Sequence, residues 1–221
     1  MNASVLKSFV LKDLYFSRWI VAASFVVALL AYGLAAGGGT FAAFILLFCA
    51  GAAPATFLCL FLISGERKER SHLFALSLPI SPAHYLLAKV LALSAAYALQ
   101  WTVVGLVTLV FGFILPHHMG IAPYAAITWL FILDQYAMML AVTVSSRSEG
   151  AAVAAMIVFN ISPAFFFYYM ARIPSIGGAN PLAPVAVWSP AVITAGGIEI
   201  VVALLLIAVV FWSVFHQQDQ T

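Results

Sequence analysis

Six long apolar runs constrain this chain more than any other feature of its sequence. They cover residues 19–36, 41–63, 85–115, 123–144, 150–170 and 193–215. A helix needs about 20 mainly apolar residues to cross the hydrocarbon core of a bilayer, so each run is long enough to span a membrane. Such runs exclude an outer-membrane barrel, whose strands are short and alternate between apolar and polar residues. The sequence therefore predicts an all-α membrane protein with six transmembrane helices.

The composition excludes a water-soluble protein. Of the 221 residues, 65% are hydrophobic and only 7% are charged, whereas soluble domains are about 45–50% apolar and about a quarter charged. These values are incompatible with a soluble enzyme, a nucleic-acid-binding protein or a disordered chain. We expect one transmembrane domain over residues 1–221, surrounded by membrane lipid and without a nucleic-acid partner.

The distribution of positive charge predicts the orientation of the spans. If the six spans alternate in direction, all of the nine lysine and arginine residues except Arg172 fall on the same side of the membrane. Membrane proteins concentrate these residues on the cytoplasmic side. We therefore expect a multi-pass protein of the inner (plasma) membrane of a bacterial cell, with both termini in the cytoplasm.

Two segments, residues 1–18 and residues 171–192, differ in composition from the long apolar runs. In residues 1–18, apolar side chains such as Phe9 and Phe16 can share one helix face, although Asp13 interrupts the pattern. We expect an N-terminal interfacial helix on the inner leaflet; an ordinary positively charged flank is the alternative. Residues 171–192 are apolar and yet rich in proline and glycine, which favours re-entrant or short interfacial helices covered by protein.

The segment 64–80, between the second and third runs, is the most informative one. It contains five consecutive charged residues from Glu66 to Arg70, so this part projects into the cytoplasm. Glu66 and Arg70 form an i,i+4 pair of favourable orientation, which supports a short helix. Pro79 ends this element, because it forces the preceding residue out of helical geometry. The apolar tip of this expected short helix is formed by Leu73, Phe74 and Leu76.

The third run begins with a clear helix start. Ser81 suits the N-cap position and Pro82 the first helical position. Lys89 lies two turns further, and we expect its amine to snorkel back to the interface. A short charged helix held between two spans can transmit force from a soluble partner to them. A plain charged loop that enforces topology is the alternative.

Residues 66–89 resemble the signature of the ABC-2 class of permeases, the membrane subunits of ATP-binding-cassette exporters. That signature is similar to E-R-x-x-G-T-L-E-x-L-L-x-L-P, followed by a serine-containing turn and a lysine near the start of the next span. The matching residues here are Glu66, Arg67, Leu76, Leu78, Pro79, Ser81 and Lys89. Arg70 and Ser71 stand where the family has glycine and threonine. Residues 11–14 and 180–182, and six spans with both ends inside, also resemble the family.

The resemblance implies a cytoplasmic coupling helix between spans two and three that docks on a separate nucleotide-binding ATPase subunit. The residues implied to couple are Glu66, Arg67, Glu69, Arg70, Leu73, Phe74, Leu76 and Pro79. The chain has no G-x-x-x-x-G-K-[ST] motif, so we expect no enzyme activity and no cofactor here, with ATP and Mg²⁺ on the partner. Six spans are few for a substrate route, which predicts a second permease copy or a paralogue. Because the spans offer few polar contacts, the expected function is export of a hydrophobic or amphipathic substrate.

One charged residue lies deep within a span. Asp134 is at the centre of the fourth run, where an acidic residue costs about 2.5–3.5 kcal/mol on insertion scales. The polar residues that could compensate it are Gln100, Gln135, Tyr136 and Asn160. Asp134 either contacts substrate or a proton, or makes an interhelical hydrogen bond. We predict Asp134, Gln100 and Asn160 as substrate-pathway residues, and we expect Glu199, near the outer end of the last run, to reach water.

Other function classes have less support. A secondary transporter that uses Asp134 as an ion or proton carrier is the main alternative, but the inverted repeats typical of such proteins are not evident. An intramembrane enzyme would need clustered His, Glu or Cys residues within the spans, and the sequence has no such cluster. His117, His118 and Met119 lie in an outer loop without further ligands, so no metal site is predicted.

Overall fold

The computed structural model describes residues 3–66, 81–114, 120, 122–146, 148–173 and 185–216. Six long helices account for nearly all of these residues, and no strand forms within them. The helices are α1 (Ala3–Ala36), α2 (Thr40–Cys59), α3 (Pro82–Ile114), α4 (Ala122–Ser145), α5 (Glu149–Arg172) and α6 (Pro190–His216). A π-helical stretch (Leu60–Gly65) continues α2. The prediction of six helices long and apolar enough to cross a membrane is confirmed.

α1 is longer than its apolar run predicts. One helix of 34 residues extends from Ala3 to Ala36, which makes it about 50 Å long at 1.5 Å per residue. The break expected after residue 18 does not occur, because no proline or glycine precedes Gly33 within α1. Residues 3–18 are therefore continuous with the first span and do not form a separate helix. Their location at the membrane interface stays a prediction.

α2, α3 and α4 form the centre of the bundle, and the other three helices pack around them. α1 contacts α2 and α3, while α5 and α6 both pack on α4. α4 is the most buried of the six, and α1, α5 and α6 are the least buried. The largest side chains at the centre of the core are Leu58, Leu93, Tyr97, Ile132 and Met139. The outer helices expose many large apolar side chains, which suits surfaces that face lipid or another subunit.

α3 and α6 begin with the same pattern, a serine followed by a proline. The Ser81 hydroxyl accepts a hydrogen bond from the N–H of His84 at 3.4 Å, and the Ser189 hydroxyl accepts one from the N–H of Val192 at 3.3 Å. Each serine satisfies one free N–H group of the first turn, and the proline stands where no N–H is needed. The cap predicted at Ser81 is confirmed.

The proline-rich segment predicted over residues 171–192 is described only at its two ends. Residues 171–172 finish α5 and residues 190–192 start α6. Residues 174–184 lie outside the described residues, so the re-entrant or interfacial helices stay a prediction.

Pro54 lies inside α2 and leaves one backbone acceptor without its helical partner. Proline has no N–H, so the carbonyl of Ala50, four residues earlier, loses the hydrogen bond that it would otherwise accept. The fully buried side chain of Gln100 in α3 donates to this carbonyl at 2.9 Å. Gln100 thus satisfies a backbone group freed by a proline, as neighbouring helices commonly do in membranes.

We expect the cost of losing Gln100 to depend on Pro54. With Pro54 present, Gln100→Leu should lower the free energy of unfolding by about 1–3 kcal/mol, because it leaves a buried acceptor without a donor. In a Pro54→Ala background, residue 54 regains an N–H that can bond to Ala50, so the same change should cost clearly less. SDS titration of the four purified proteins measures both costs. Equal costs in the two backgrounds would contradict this role of Gln100.

α3 and α4 approach each other closely at a pair of tryptophans. The indole N–H of Trp101 donates to the carbonyl of Trp129 at 3.1 Å, and the indole N–H of Trp129 donates to the carbonyl of Trp101 at 3.2 Å. The two rings are inclined by only 27°, with centroids 6.0 Å apart. Gly105 provides the room for this contact, since a Cβ built on it would overlap the Trp129 indole.

Candidate functional site

Charged and polar side chains from three helices meet where the chain leaves α2 and later enters α3. We call this group the ion cluster; it comprises Lys12 and Asp13 of α1, Glu66 at the end of α2, and Tyr85 and Lys89 of α3. Residues 67–80 follow Glu66 in the chain and precede Ser81 at the start of α3, and they lie outside the described residues. The ion cluster therefore joins described residues on both sides of the segment that the sequence predicts to couple to a partner.

Each carboxylate of the ion cluster lies close to both lysines. Lys89 Nζ is 3.2 Å from Asp13 Oδ2 and 2.8 Å from Glu66 Oε2. Lys12 Nζ is 2.9 Å from Glu66 Oε1 and 3.7 Å from Asp13 Oδ1. The Tyr85 hydroxyl donates a further hydrogen bond to Glu66. Two positive and two negative charges balance, so the ion cluster as a whole is neutral.

Lys89 and Asp13 are almost completely buried, with side chains 3% and 1% exposed. A lone charge in such a position would be strongly destabilising, whereas a paired and hydrogen-bonded charge is tolerated. The amine of Lys89 therefore does not extend into water, because it has two carboxylate partners inside the protein. The same contact explains Asp13, which interrupts the apolar pattern of the N-terminal residues.

The carboxyl group of Glu66 is ionised throughout the physiological pH range. Burial alone would raise its pKa, but hydrogen bonds from Lys89, Tyr85 and Lys12 outweigh burial and lower the pKa from 4.5 to about 2. An acid with a lowered pKa in the folded state contributes stability above its ordinary pKa and loses this contribution as the pH falls through the lowered value. The Glu66 salt bridges are therefore intact at neutral pH.

Glu66 is the one predicted coupling residue that the structure describes. It follows the π-helical stretch Leu60–Gly65, a local geometry that is frequent at functional sites. The pairing of Glu66 with Arg70 stays a prediction, because Arg70 lies outside the described residues. The other predicted coupling residues also lie outside them; these are Arg67, Glu69, Leu73, Phe74, Leu76 and Pro79.

A second polar site lies between α4, α5 and α6. A cavity of about 500 Å³ there is lined by Asp134 of α4, Glu199 of α6 and the polar side chains Gln135 and Ser162. Asp134 is 6% exposed, and it interacts electrostatically with Glu199. Since α6 begins at Pro190, Glu199 lies roughly 14 Å along that helix. It faces Asp134 and lies in the N-terminal half of α6.

A hydrogen-bonded link ties α4 to α5 beside this cavity. Pro163 removes the N–H that would bond to the carbonyl of Phe159, and the Ser162 hydroxyl donates to that carbonyl at 3.2 Å. The amide nitrogen of Gln135 in turn donates to the Ser162 hydroxyl at 2.7 Å. Gln135 and Ser162 are thus fixed in position on the cavity wall.

The three predicted substrate-pathway residues do not meet. Gln100 is buried between α2 and α3, and Asn160 lies on an exposed face of α5, where its amide donates to the carbonyl of Met156 at 2.7 Å. Asp134 lines the cavity. The residue brought to Asp134 is Glu199, which the sequence did not suggest as its partner. The role of these residues in a substrate pathway stays a prediction.

The fold defines a multi-pass helical membrane protein. Its described residues form a buried ion cluster next in sequence to the charged segment 67–80, and an acidic cavity between α4, α5 and α6. Residues 8–217 match the family described as ABC-2 family transporter protein. The match covers nearly the whole chain, so the chain belongs to this family and is a permease subunit of an ABC transporter. The resemblance identified from residues 66–89 is thereby confirmed. Comparisons with curated proteins and with solved structures gave no match.

Proposed function

We propose that this permease subunit exports a hydrophobic or amphipathic substrate from the cytoplasm or the inner leaflet, powered by a separate ATPase that docks on residues 67–80. The observation that carries the proposal is the ion cluster, which joins Glu66, directly before that segment, and Lys89, in the helix after it, to α1. The predominantly apolar surfaces of the helices support a substrate of low polarity. ATP and Mg²⁺ bind to the ATPase subunit in this proposal, and the permease itself needs no cofactor.

The ion cluster supports a route for force from the ATPase to the spans. Glu66 follows the π-helical continuation of α2 and Lys89 belongs to α3, so their 2.8 Å salt bridge joins the helices that precede and follow residues 67–80. Lys12 and Asp13 join the same two groups to α1. A displacement of the segment would therefore act on α1, α2 and α3 together, through the kind of contiguous physical connection that can carry energetic coupling.

The proposed orientation and assembly rest on the charge pattern and on the exposed helices. Positive residues concentrated on one side support a cytoplasmic location for residues 67–80 and for both termini, in the inner membrane of a bacterial cell. Large apolar side chains exposed on α5 and α6 support contact with a second permease copy or a paralogue, which would complete the substrate route.

Co-purification of the permease with its ATPase subunit tests the proposal. Leu73→Ala combined with Phe74→Ala removes the apolar tip of the proposed coupling helix, and we expect this change to abolish association or to uncouple ATP hydrolysis from transport. Interface anchors typically cost about 2 kcal/mol or more on truncation, whereas charges at the rim cost little. Lys68→Ala is therefore the matched control and should behave like the wild type.

Substrate-stimulated ATP hydrolysis in reconstituted vesicles provides the second measurement. The abundance and membrane insertion of the double variant should be unchanged, because the proposed coupling helix lies outside the lipid. If the double variant binds the ATPase and transports like the wild type, residues 67–80 only enforce topology, and the proposed coupling is wrong.

A further inference from the structure

The cavity between α4, α5 and α6 contains two buried or half-buried carboxyl groups and a buried acceptor without a donor. The carboxyl group of Asp134 interacts with that of Glu199 through a hydrogen bond, and the Oε1 atom of Gln135 accepts no hydrogen bond within the described residues. Asp134 and Gln135 line the cavity together with Glu199, and these two residues are only 6% and 4% exposed. A buried acceptor without a donor is costly, and two neighbouring carboxyl groups do not both ionise easily. With one shared proton the pair still carries one negative charge, so a positively charged hydrogen-bond donor would complete this site.

No basic side chain among the described residues supplies that charge. Lys12 and Lys89 belong to the ion cluster, and Arg18 and Arg172 lie over the rings of exposed tyrosines. The described side chains that line the cavity include no lysine, arginine or histidine. A positively charged ligand would satisfy the acceptors of the cavity.

The rest of the cavity wall is aromatic and apolar. It includes Phe131, Phe165, Phe166, Tyr169, Met138 and Met170. Phe131 and Phe166 stack with their centroids 4.1 Å apart. Aromatic faces attract cations, whereas Ca²⁺ and Mg²⁺ need about six or more oxygen ligands, which this wall does not offer. The wall therefore favours an organic cation with an apolar body over a metal ion.

We propose that this cavity binds an amphipathic organic cation, with its charged group against Asp134 and Glu199 and its apolar body against Phe131 and Phe166. The inference rests on the proposed transport function, for which it names the substrate class. The cavity volume of about 500 Å³ falls within the range of about 300–1,000 Å³ that is usual for ligand pockets. An N–H group on such a cation would supply the donor that Gln135 Oε1 lacks.

Ethidium, a flat aromatic cation with two amino groups, is the probe for this site, because its fluorescence rises when it leaves water. We expect saturable binding to the purified permease in nanodiscs of zwitterionic lipid, with empty nanodiscs subtracted. The uncharged parent compound, 3,8-diamino-6-phenylphenanthridine, should bind at least about tenfold more weakly, since removing one member of a buried charge pair strongly weakens binding. This comparison uses only the wild-type protein and so does not depend on whether variants fold.

Isosteric variants then locate the site. Asp134→Asn and Glu199→Gln keep the size of the side chain and remove its charge, and each should weaken ethidium binding by about tenfold or more. Glu149→Gln removes an equal charge at the start of α5, outside the cavity, and should bind ethidium like the wild type. Thermal unfolding of each purified variant confirms that it is folded. If ethidium and its uncharged parent bind equally well, or if all three variants bind alike, the cavity is not a cation site.

The proposal of a cation site and the proposal of coupling through residues 67–80 can fail separately. If ethidium binds with the expected preference but the Leu73 and Phe74 double variant still couples normally, the cation site stands and the docking on residues 67–80 is wrong. If coupling behaves as expected and ethidium shows no charge preference, the permease function stands and the substrate class is wrong.

Discussion

Lys89→Met should lower the free energy of unfolding by about 3–5 kcal/mol, because it leaves buried carboxylates without their shared partner. Methionine keeps most of the apolar stem but removes Nζ, which lies 3.2 Å from Asp13 and 2.8 Å from Glu66. Glu66 retains hydrogen bonds from Lys12 and Tyr85. Asp13, with a side chain only 1% exposed, should therefore account for most of the loss. SDS titration of the purified protein measures it.

A second variant separates the charge from the packing. Lys89→Met combined with Asp13→Leu removes both members of the pair, and most of the lost stability should return, since apolar residues can replace a buried ion pair at little cost. Lys7→Met removes an exposed lysine of α1 and should change the free energy of unfolding by less than about 0.5 kcal/mol. Asp13→Leu alone completes the comparison. If the losses of Lys89→Met and Asp13→Leu simply add in the double variant, the Lys89–Asp13 pair is not energetically coupled and the ion cluster does not join α1 to α3.

Gly105→Ala should destabilise the protein although alanine is the better helix former. The added methyl group would overlap the indole of Trp129, so that ring has to move, and its reciprocal hydrogen bonds with Trp101 are disturbed together. Overpacking costs about 1–3 kcal/mol and each hydrogen bond about 1 kcal/mol. We expect a loss of about 2–4 kcal/mol in the free energy of unfolding, again measured by SDS titration.

Gly197 in α6 provides the matched control for this substitution. A Cβ built on Gly197 meets nothing within 4 Å, so Gly197→Ala should leave stability unchanged or raise it by up to about 1 kcal/mol, the difference in helix propensity. The two alanine variants should therefore change stability in opposite directions. Unfolding of both at the same SDS concentration would show that α3 and α4 do not cross as closely as described.

The number and the positions of the helices can be predicted from the sequence, because an apolar run of about 20 residues has few stable alternatives to a membrane helix. Helix starts with local chemistry, such as the cap at Ser81, can be predicted as well. The start of α1 cannot be placed in this way. Hydropathy places the start of the first span just after Arg18, the last charged residue before the apolar run. The helix itself begins at Ala3, because no residue between Ala3 and Arg18 breaks it.

The polar sites depend on which helix faces which, and hydropathy carries no such information. Asp13 and Lys89 are 76 positions apart, and each taken alone resembles a residue that should reach water. Gln100 taken alone suggests a substrate contact, whereas it satisfies a carbonyl freed by Pro54. The pairing of Glu199 with Asp134 likewise requires the packing of α6 on α4. Sequence reasoning identifies such residues as unusual, but only the arrangement of the helices assigns their partners.

The sequence distance between Asp13 and Lys89 has a consequence for biosynthesis. Chains grow at about 5–20 residues per second, so the 76 positions that separate the two residues correspond to roughly 4–15 s in which Asp13 exists without Lys89. An unpaired, ionised carboxylate is costly away from water. We therefore expect the beginning of α1 to stay in contact with water until α3 has been made, so that the emergence of α3 from the ribosome sets the time at which α1 can settle into the bundle.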